Sequence, residues 1–200
     1  MTTQFPFVCS GLVVAALWTL VPAAIFAGVP AGEPGTEPIR KEVTVPATPA
    51  QVFEAWTTLA GVRSFFAPDA NMELRIGGPY EMLFDPEANE GGRGSEGCRI
   101  LSYLPGEMLS FDWNNPPKLP SIRQEKTWVV VRFDDAGGGR TRLTLTHLGW
   151  RTGGEWPQAH AYFERAWDVV LYRLLVRFEK GPINWSKPPY PPAGNRETPR

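Results

Sequence analysis

The sequence predicts an α+β fold in which a curved antiparallel sheet of seven strands, with two short helices after the first strand, clasps one long C-terminal helix. Three observations carry that expectation. Between Glu155 and Lys180, Trp156, His160, Phe163, Trp167, Val170, Leu171, Leu174 and Phe178 recur at steps of three, four and seven, the stripe of a helix with one face buried. Upstream, short segments alternate apolar and polar residues between turn dipeptides, the pattern of antiparallel hairpins. After the first of these segments stands a capping box, so the chain leaves the sheet for a helix before returning to it.

In chain order, Ile39, Lys41, Val43 and Val45 alternate with Arg40, Glu42 and Thr44 and predict the first strand. Thr48-Pro49-Ala50-Gln51 opens a helix: Thr48 caps it, Pro49 takes the first turn where no N–H is needed, and Gln51 completes the box. A second helical piece is expected from Leu59 to Phe65, ending before Pro68. Met72, Leu74 and Ile76 then lead into Gly77-Gly78-Pro79, and Tyr80, Met82 and Phe84 return on one parity. Strands at Ser95–Leu104 and Glu107–Trp113 meet at Pro105-Gly106. A last pair, Gln124–Phe133 and Thr141–Leu148, flanks the turn Asp134–Gly139. The long helix carries Gln158, Glu164, Arg165, Asp168, Arg173, Arg177 and Glu179 on its polar face and stops at Gly181-Pro182.

Four segments are expected. Residues 1–31 read as a secretory signal peptide: Val8–Ala27 is mainly apolar, no charged side chain precedes Glu33, and small residues offer cleavage after Ala27 or Ala31. The alternative is an uncleaved anchor, since such a run just spans a bilayer. Residues 32–37 are a spacer, 38–181 the folded domain, and 182–200 a proline-rich tail expected to be unstructured. The product is accordingly expected outside the cytoplasm, periplasmic or extracellular, touching a membrane only if the N-terminal segment stays attached.

A formal net charge of -1 provides no basic field for nucleic acid. Cys9 and Cys98 are the only cysteines, too few for a disulfide framework or a metal-binding cysteine pattern. Gly91-Gly92-Arg93-Gly94 lacks the spacing and the Lys-Ser/Thr of a phosphate loop. No cofactor is therefore expected, and no metal, because metal binding would need further ligands beside the two histidines.

Several of these segments together resemble a known family. Val52-Phe53-Glu54-Ala55-Trp56-Thr57, Phe65-Phe66-Ala67-Pro68, Ile76-Gly77-Gly78-Pro79-Tyr80 and Gly139-Arg140-Thr141-Arg142-Leu143-Thr144-Leu145-Thr146-His147 are similar to the activator-of-Hsp90-ATPase-homologue (AHSA1-type) family of the START-like, or SRPBCC, superfamily. The resemblance runs from about Glu37 to Lys180. It implies the helix-grip, Bet v 1-like fold, with a cavity between sheet and C-terminal helix, and it implies no shared catalytic set.

Candidate site residues follow from parity and from the aromatic inventory. His147 shares parity with Leu143 and Leu145, and His160 lies on the helix stripe, so both are expected to face the interior. They read either as a polar pair bordering a ligand or, more ordinarily, as two hydrogen-bonded core histidines. Arg99 shares parity with Leu101 and Tyr103 and reads as an inward carboxylate receptor or as a solvated edge residue; Cys98, of opposite parity, reads as an inert thiol. Trp56, Phe65, Tyr80, Phe84, Trp113, Trp156, Phe163 and Trp167 complete the expected lining, since rigid aromatic walls with few polar groups suit a small-molecule site. Three functions remain open at this point: an exported module binding a small apolar or aromatic molecule, a cyclase- or lyase-like enzyme using His147, His160 or Arg99, and an Hsp90-type chaperone regulator if the chain stays in the cytosol.

Overall fold

Alternation does build the first strand, and it also aims a charge inward. In the computed structural model, which describes residues 1–2 and 36–192, β1 (Ile39–Val45) buries Ile39 and Val45. Lys41, on the same parity, reaches the long helix, where its Nζ lies 2.8 Å from Glu164 and 2.9 Å from Asp168. The chain divides into two units, Met1–Ala31 and Gly32–Arg200, and every element below belongs to the second. The segment expected to direct export, from residue 3 on, with its cleavage positions, Cys9 and the spacer up to residue 35, lies outside the described residues.

The capping box forms as expected. Thr48 Oγ1 accepts from the Gln51 backbone, Thr48 N–H donates to Gln51 Oε1 at 3.0 Å, and α1 (Pro49–Thr57) turns Val52, Phe53 and Trp56 into the core. Thr58 caps α2 (Leu59–Arg63) through Gly61 N–H at 3.0 Å. A Cβ at Gly61 would lie 2.5 Å from the Ala55 carbonyl oxygen, so the corner between the two helices needs glycine.

Among the described residues seven strands are present, divided five and two. β2 (Asp69–Met72) pairs only with β3 (Tyr80–Leu83), while β4 (Ile100–Leu104), β5 (Met108–Asn114), β6 (Lys126–Gly137) and β7 (Arg140–Leu148) join β1 in the order β1-β7-β6-β5-β4. The hairpin and its connection approach β4 through an isolated bridge between Pro79 and Arg99, with Tyr80 N–H donating to Cys98 O at 2.8 Å, Gly77 N–H to Ile100 O at 2.8 Å and Ile100 N–H to Gly78 O at 3.0 Å. A register shift between Ile100 and Ser102 interrupts β4 at this point, and such an irregularity bends a strand and breaks its ladder. Leu74 and Ile76, expected to extend β2, instead lie in its connection to β3, where Ile76 is 70% exposed.

The long helix α3 (Trp156–Lys180) has the expected limits and ends at Gly181, whose φ of 99° is left-handed and whose N–H reaches Arg177 O at 3.0 Å. It buries Trp156, Phe163, Trp167, Val170, Leu171 and Leu174. The tail departs from the unstructured expectation in its first part. Ile183 is buried and its N–H donates to Ser64 O at 2.9 Å, and Trp185 Nε1 donates to Arg63 O at 2.7 Å. The chain thus folds back along α2 and α3 as far as Tyr190.

Candidate ligand groove beside the long helix

Between sheet and helix the aromatic side chains meet ring to ring. Trp56 touches Phe65 and Phe66, each at 5.3 Å between centroids, and Trp113 touches Trp167 at 5.8 Å and Phe66 at 5.8 Å. Trp56, Phe65 and Tyr80 are fully buried in that packing. Tyr80 donates its hydroxyl to Trp56 O at 3.0 Å, and burial holds its ionisation well above the ordinary phenol range. These three belong to the core behind the opening and do not border it.

The opening lies to one side, where Phe84 and Trp113 face the stretch of α3 from Tyr162 to Arg173. It is a groove of about 350 Å³. Its floor is Phe66, Trp113, Phe163, Trp167 and Val170, all buried; Phe84, 44% exposed, forms one lip, and Tyr190 from the tail forms another. Phe84, Trp113, Phe163 and Trp167 are thus the four expected lining residues brought together here. Phe66, Tyr162, Arg173 and Tyr190 complete the walls. Helical spacing groups Tyr162, Ala166, Val169 and Arg173 on one face, but nothing in the sequence placed Tyr190 opposite them.

His147 stands behind the groove. It is wholly buried, and its ring lies 4.3 Å from Trp150, 5.0 Å from Phe163 and 5.8 Å from Trp167. Its protonation can be derived from its neighbours. The Trp167 indole is a donor only, so at 3.0 Å it must give its N–H to Nδ1. The ring proton then sits on Nε2 and is donated to Thr127 Oγ1 at 2.7 Å, and the Thr127 hydroxyl donates onward to Trp113 O at 2.9 Å. Burial, and next the charge that His160 acquires on protonation, push the His147 pKa well below its ordinary value. The imidazole is neutral, with both nitrogens engaged, and it ties the Trp167 indole, through Thr127, to the backbone carbonyl of Trp113.

The other candidates lie elsewhere. His160 is half-buried, donates through Nε2 to Glu37 O at 3.1 Å and stacks edge-on against Trp150; it reaches neither His147 Nε2 nor the groove lining. Trp156 is buried at the start of α3 beneath the Arg151 guanidinium, 5.3 Å from its ring. Of the two readings of Arg99 the solvated-edge one holds, and its place in the expected lining is corrected: it is exposed and donates to Gly77 O at 2.9 Å. Before the register shift in β4, Cys98 and Ile100 are the buried residues, so parity read back from Tyr103 assigns Arg99 to the wrong face. Cys98 is buried, with its thiol pushed up to about 11, chiefly by desolvation, and is inert.

A larger depression of about 560 Å³ lies at the loops around Glu81, Glu96 and Arg123. Its principal charges are already used. Glu96 accepts from Gly91 N–H, Arg93 N–H and Arg93 Nε, each within 2.9 Å, and Glu81 accepts from Asn71 Nδ2 and Gly97 N–H. Arg123 donates to the carbonyls of Asn115, Gly91 and Gly94. This cleft is a set of loop ties, and size alone does not make it the better site.

With sheet order, helix and groove in view, the comparison with known proteins is direct. Residues 46–179 match the family described as Activator of Hsp90 ATPase homolog 1-like protein (AHSA1). The chain belongs to this family. Solved structures share the AHSA1-like fold at low identity. A Mesorhizobium loti protein aligns with a TM-score of 0.59 and 16% identity, over 72% of this chain and 98% of that one. The Aha1 dimer of Colwellia psychrerythraea aligns at 0.57 and 19%, again over 72% and 98%. CalU16 from Micromonospora echinospora aligns at 0.51 and 21%, over 74% and 76%. No curated protein matches the chain.

Proposed function

We propose that this AHSA1-family chain is an exported binding module that holds one small apolar or aromatic molecule in the groove between Trp113 and α3. The observation that carries the proposal is the groove itself: about 350 Å³, floored by four aromatic rings, with few polar groups. That volume falls at the lower end of the range for small-molecule sites. The Trp167 indole is tied through His147 and Thr127 to the Trp113 carbonyl, and the Trp113 ring packs on Phe66 and Trp167; pre-organised walls lower the ordering cost of binding. Export rests on the apolar N-terminal run and its small-residue cleavage positions.

Catalysis is not part of the proposal. Both ring nitrogens of His147 are occupied by protein groups, His160 lies outside the groove and Arg99 is on the surface, so the residues of the cyclase-like alternative are not gathered around one substrate. The test is a titration of the full chain with N-phenyl-1-naphthylamine, an uncharged two-ring fluorophore. Saturable one-to-one enhancement is expected, and loss of that signal in Val169→Trp, whose indole would occupy the groove. No enhancement in the wild-type chain would overturn the proposal. Fractionation tests export separately; an uncleaved cytosolic chain would favour the Hsp90-type regulation that the family's description suggests.

A further inference from the structure

The groove is sorted by charge as well as by polarity. Among the described residues two charged side chains line it, Arg165 and Arg173, and no carboxylate does. The acids of α3 on the neighbouring face, Glu164 and Asp168, are turned the other way and held by Lys41 of β1. Burial pulls the Lys41 pKa down and the two carboxylates more than offset it, leaving it raised, so this ion cluster persists at neutral pH. Among the described residues the groove is thereby left with positive charge alone.

Arg173 is the unusual member. It is only 9% exposed, and buried arginines ordinarily face a carboxylate. Among the described residues no carboxylate forms an ion pair with Arg173. Its Nε donates to a neutral carbonyl, Pro189 O, at 3.3 Å, its guanidinium also hydrogen-bonds the Tyr190 side chain, and the rings of Trp185 and Tyr190 lie 5.3 and 5.1 Å from the guanidinium carbon. Stacking of this kind leaves the planar edge of a guanidinium suited to an anion. A bond to an ionised oxygen would be shorter and stronger than the one to Pro189 O.

We infer that the groove selects aromatic molecules bearing one acid group, with the ring system on Trp113, Phe163 and Trp167 and the anion on the edge of Arg173. This rests on the groove being the binding site and adds the chemical class of its occupant. An anion arriving at Arg173 replaces Pro189 O as the acceptor, so binding exchanges a contact of the tail for a contact of the ligand. Arg165, exposed on the rim, adds attraction at longer range.

The test compares two probes with the same ring system, 8-anilinonaphthalene-1-sulfonate and N-phenyl-1-naphthylamine, which differ by the sulfonate. The full chain should bind the sulfonate at least about tenfold more tightly, the gain of a charge-assisted contact. Arg173→Gln should bring the two affinities within about twofold of each other by removing that contact. Arg173→Met keeps the packing of the stem and takes its place should the amide variant not fold. Arg142→Gln, which removes an exposed charge on β7, should leave the preference intact. Equal wild-type affinities, or a preference that survives loss of Arg173, would overturn the inference while leaving the groove as the site. Binding of neither probe would fail the broader proposal.

Discussion

Two ends of the same helix treat their polar groups in opposite ways. At the N-terminal half of α3, the nitrogens of His147 and the hydroxyl of Thr127 form a closed sequence from Trp167 to Trp113, with no position left for a guest. One to two turns further on, Arg173 is almost as buried, but its company is a long bond to a carbonyl, a hydrogen bond with the Tyr190 side chain and two aromatic rings, with no carboxylate paired to it among the described residues. Burial alone therefore does not mark a functional group. A buried polar atom whose partners match it in number and charge is structural, whereas one whose partners fall short of its charge retains capacity to bind.

Removing Trp167 should break the contrast most severely. Trp167→Ala deletes a groove wall and the donor to His147 Nδ1 together, and a loss of about 3–5 kcal/mol in unfolding free energy by urea titration is expected for a buried tryptophan. A loss under about 1 kcal/mol would mean that the ring is not held as described. Thr127→Val is narrower. It leaves His147 Nε2–H without its acceptor and Trp113 O without its donor, at an expected cost of about 1–3 kcal/mol. Calorimetry on this variant compares the sealed end with Arg173→Met, which should cost less because Arg173 has the weaker partners.

The pH dependence of stability sharpens the same point with a smaller effect. The folded pKa of His147 is depressed below the ordinary 6.5. Its contribution is fully present above that pH. As pH falls below 6.5 toward the folded pKa, the unfolded imidazole binds a proton that the folded one does not, and stability falls by at most about 1.4 kcal/mol per pH unit. Urea midpoints between pH 7.5 and 5.5 should decline more steeply for the wild type than for His147→Gln, and parallel slopes would contradict a sealed neutral imidazole. Least affected should be Lys41→Met. It removes partly exposed pairs, for which about 0.5–1 kcal/mol is expected, while freeing Glu164 and Asp168.

Much of the frame was legible because local chemistry and the core demand the same thing. The stripe from Trp156 to Leu174, the Thr48–Gln51 box and the Gly181 stop each appear where the residues require them. The division of the sheet was not legible, because it depends on a break in the β4 ladder that no residue announces. That break also explains Arg99: parity extrapolates only through an uninterrupted strand. The four aromatic wall residues could be anticipated as a set, but Arg173 was placed on the polar face of α3. The helix pattern is local, and what buries Arg173 is a proline-rich segment whose composition gives no docking signal. His147 was correctly turned inward, yet parity could not reveal that a tryptophan and a threonine would occupy both its nitrogens.

The central claim, that the space beside α3 receives a small molecule, is tested most directly by following the indole N–H resonances of the chain's eight tryptophans during titration with N-phenyl-1-naphthylamine. The account predicts that Trp113 and Trp167 shift most while Trp128, 46% exposed on the sheet, stays in place. Shifts centred on Trp128, or saturation of the probe with Trp113 and Trp167 unmoved, would contradict it.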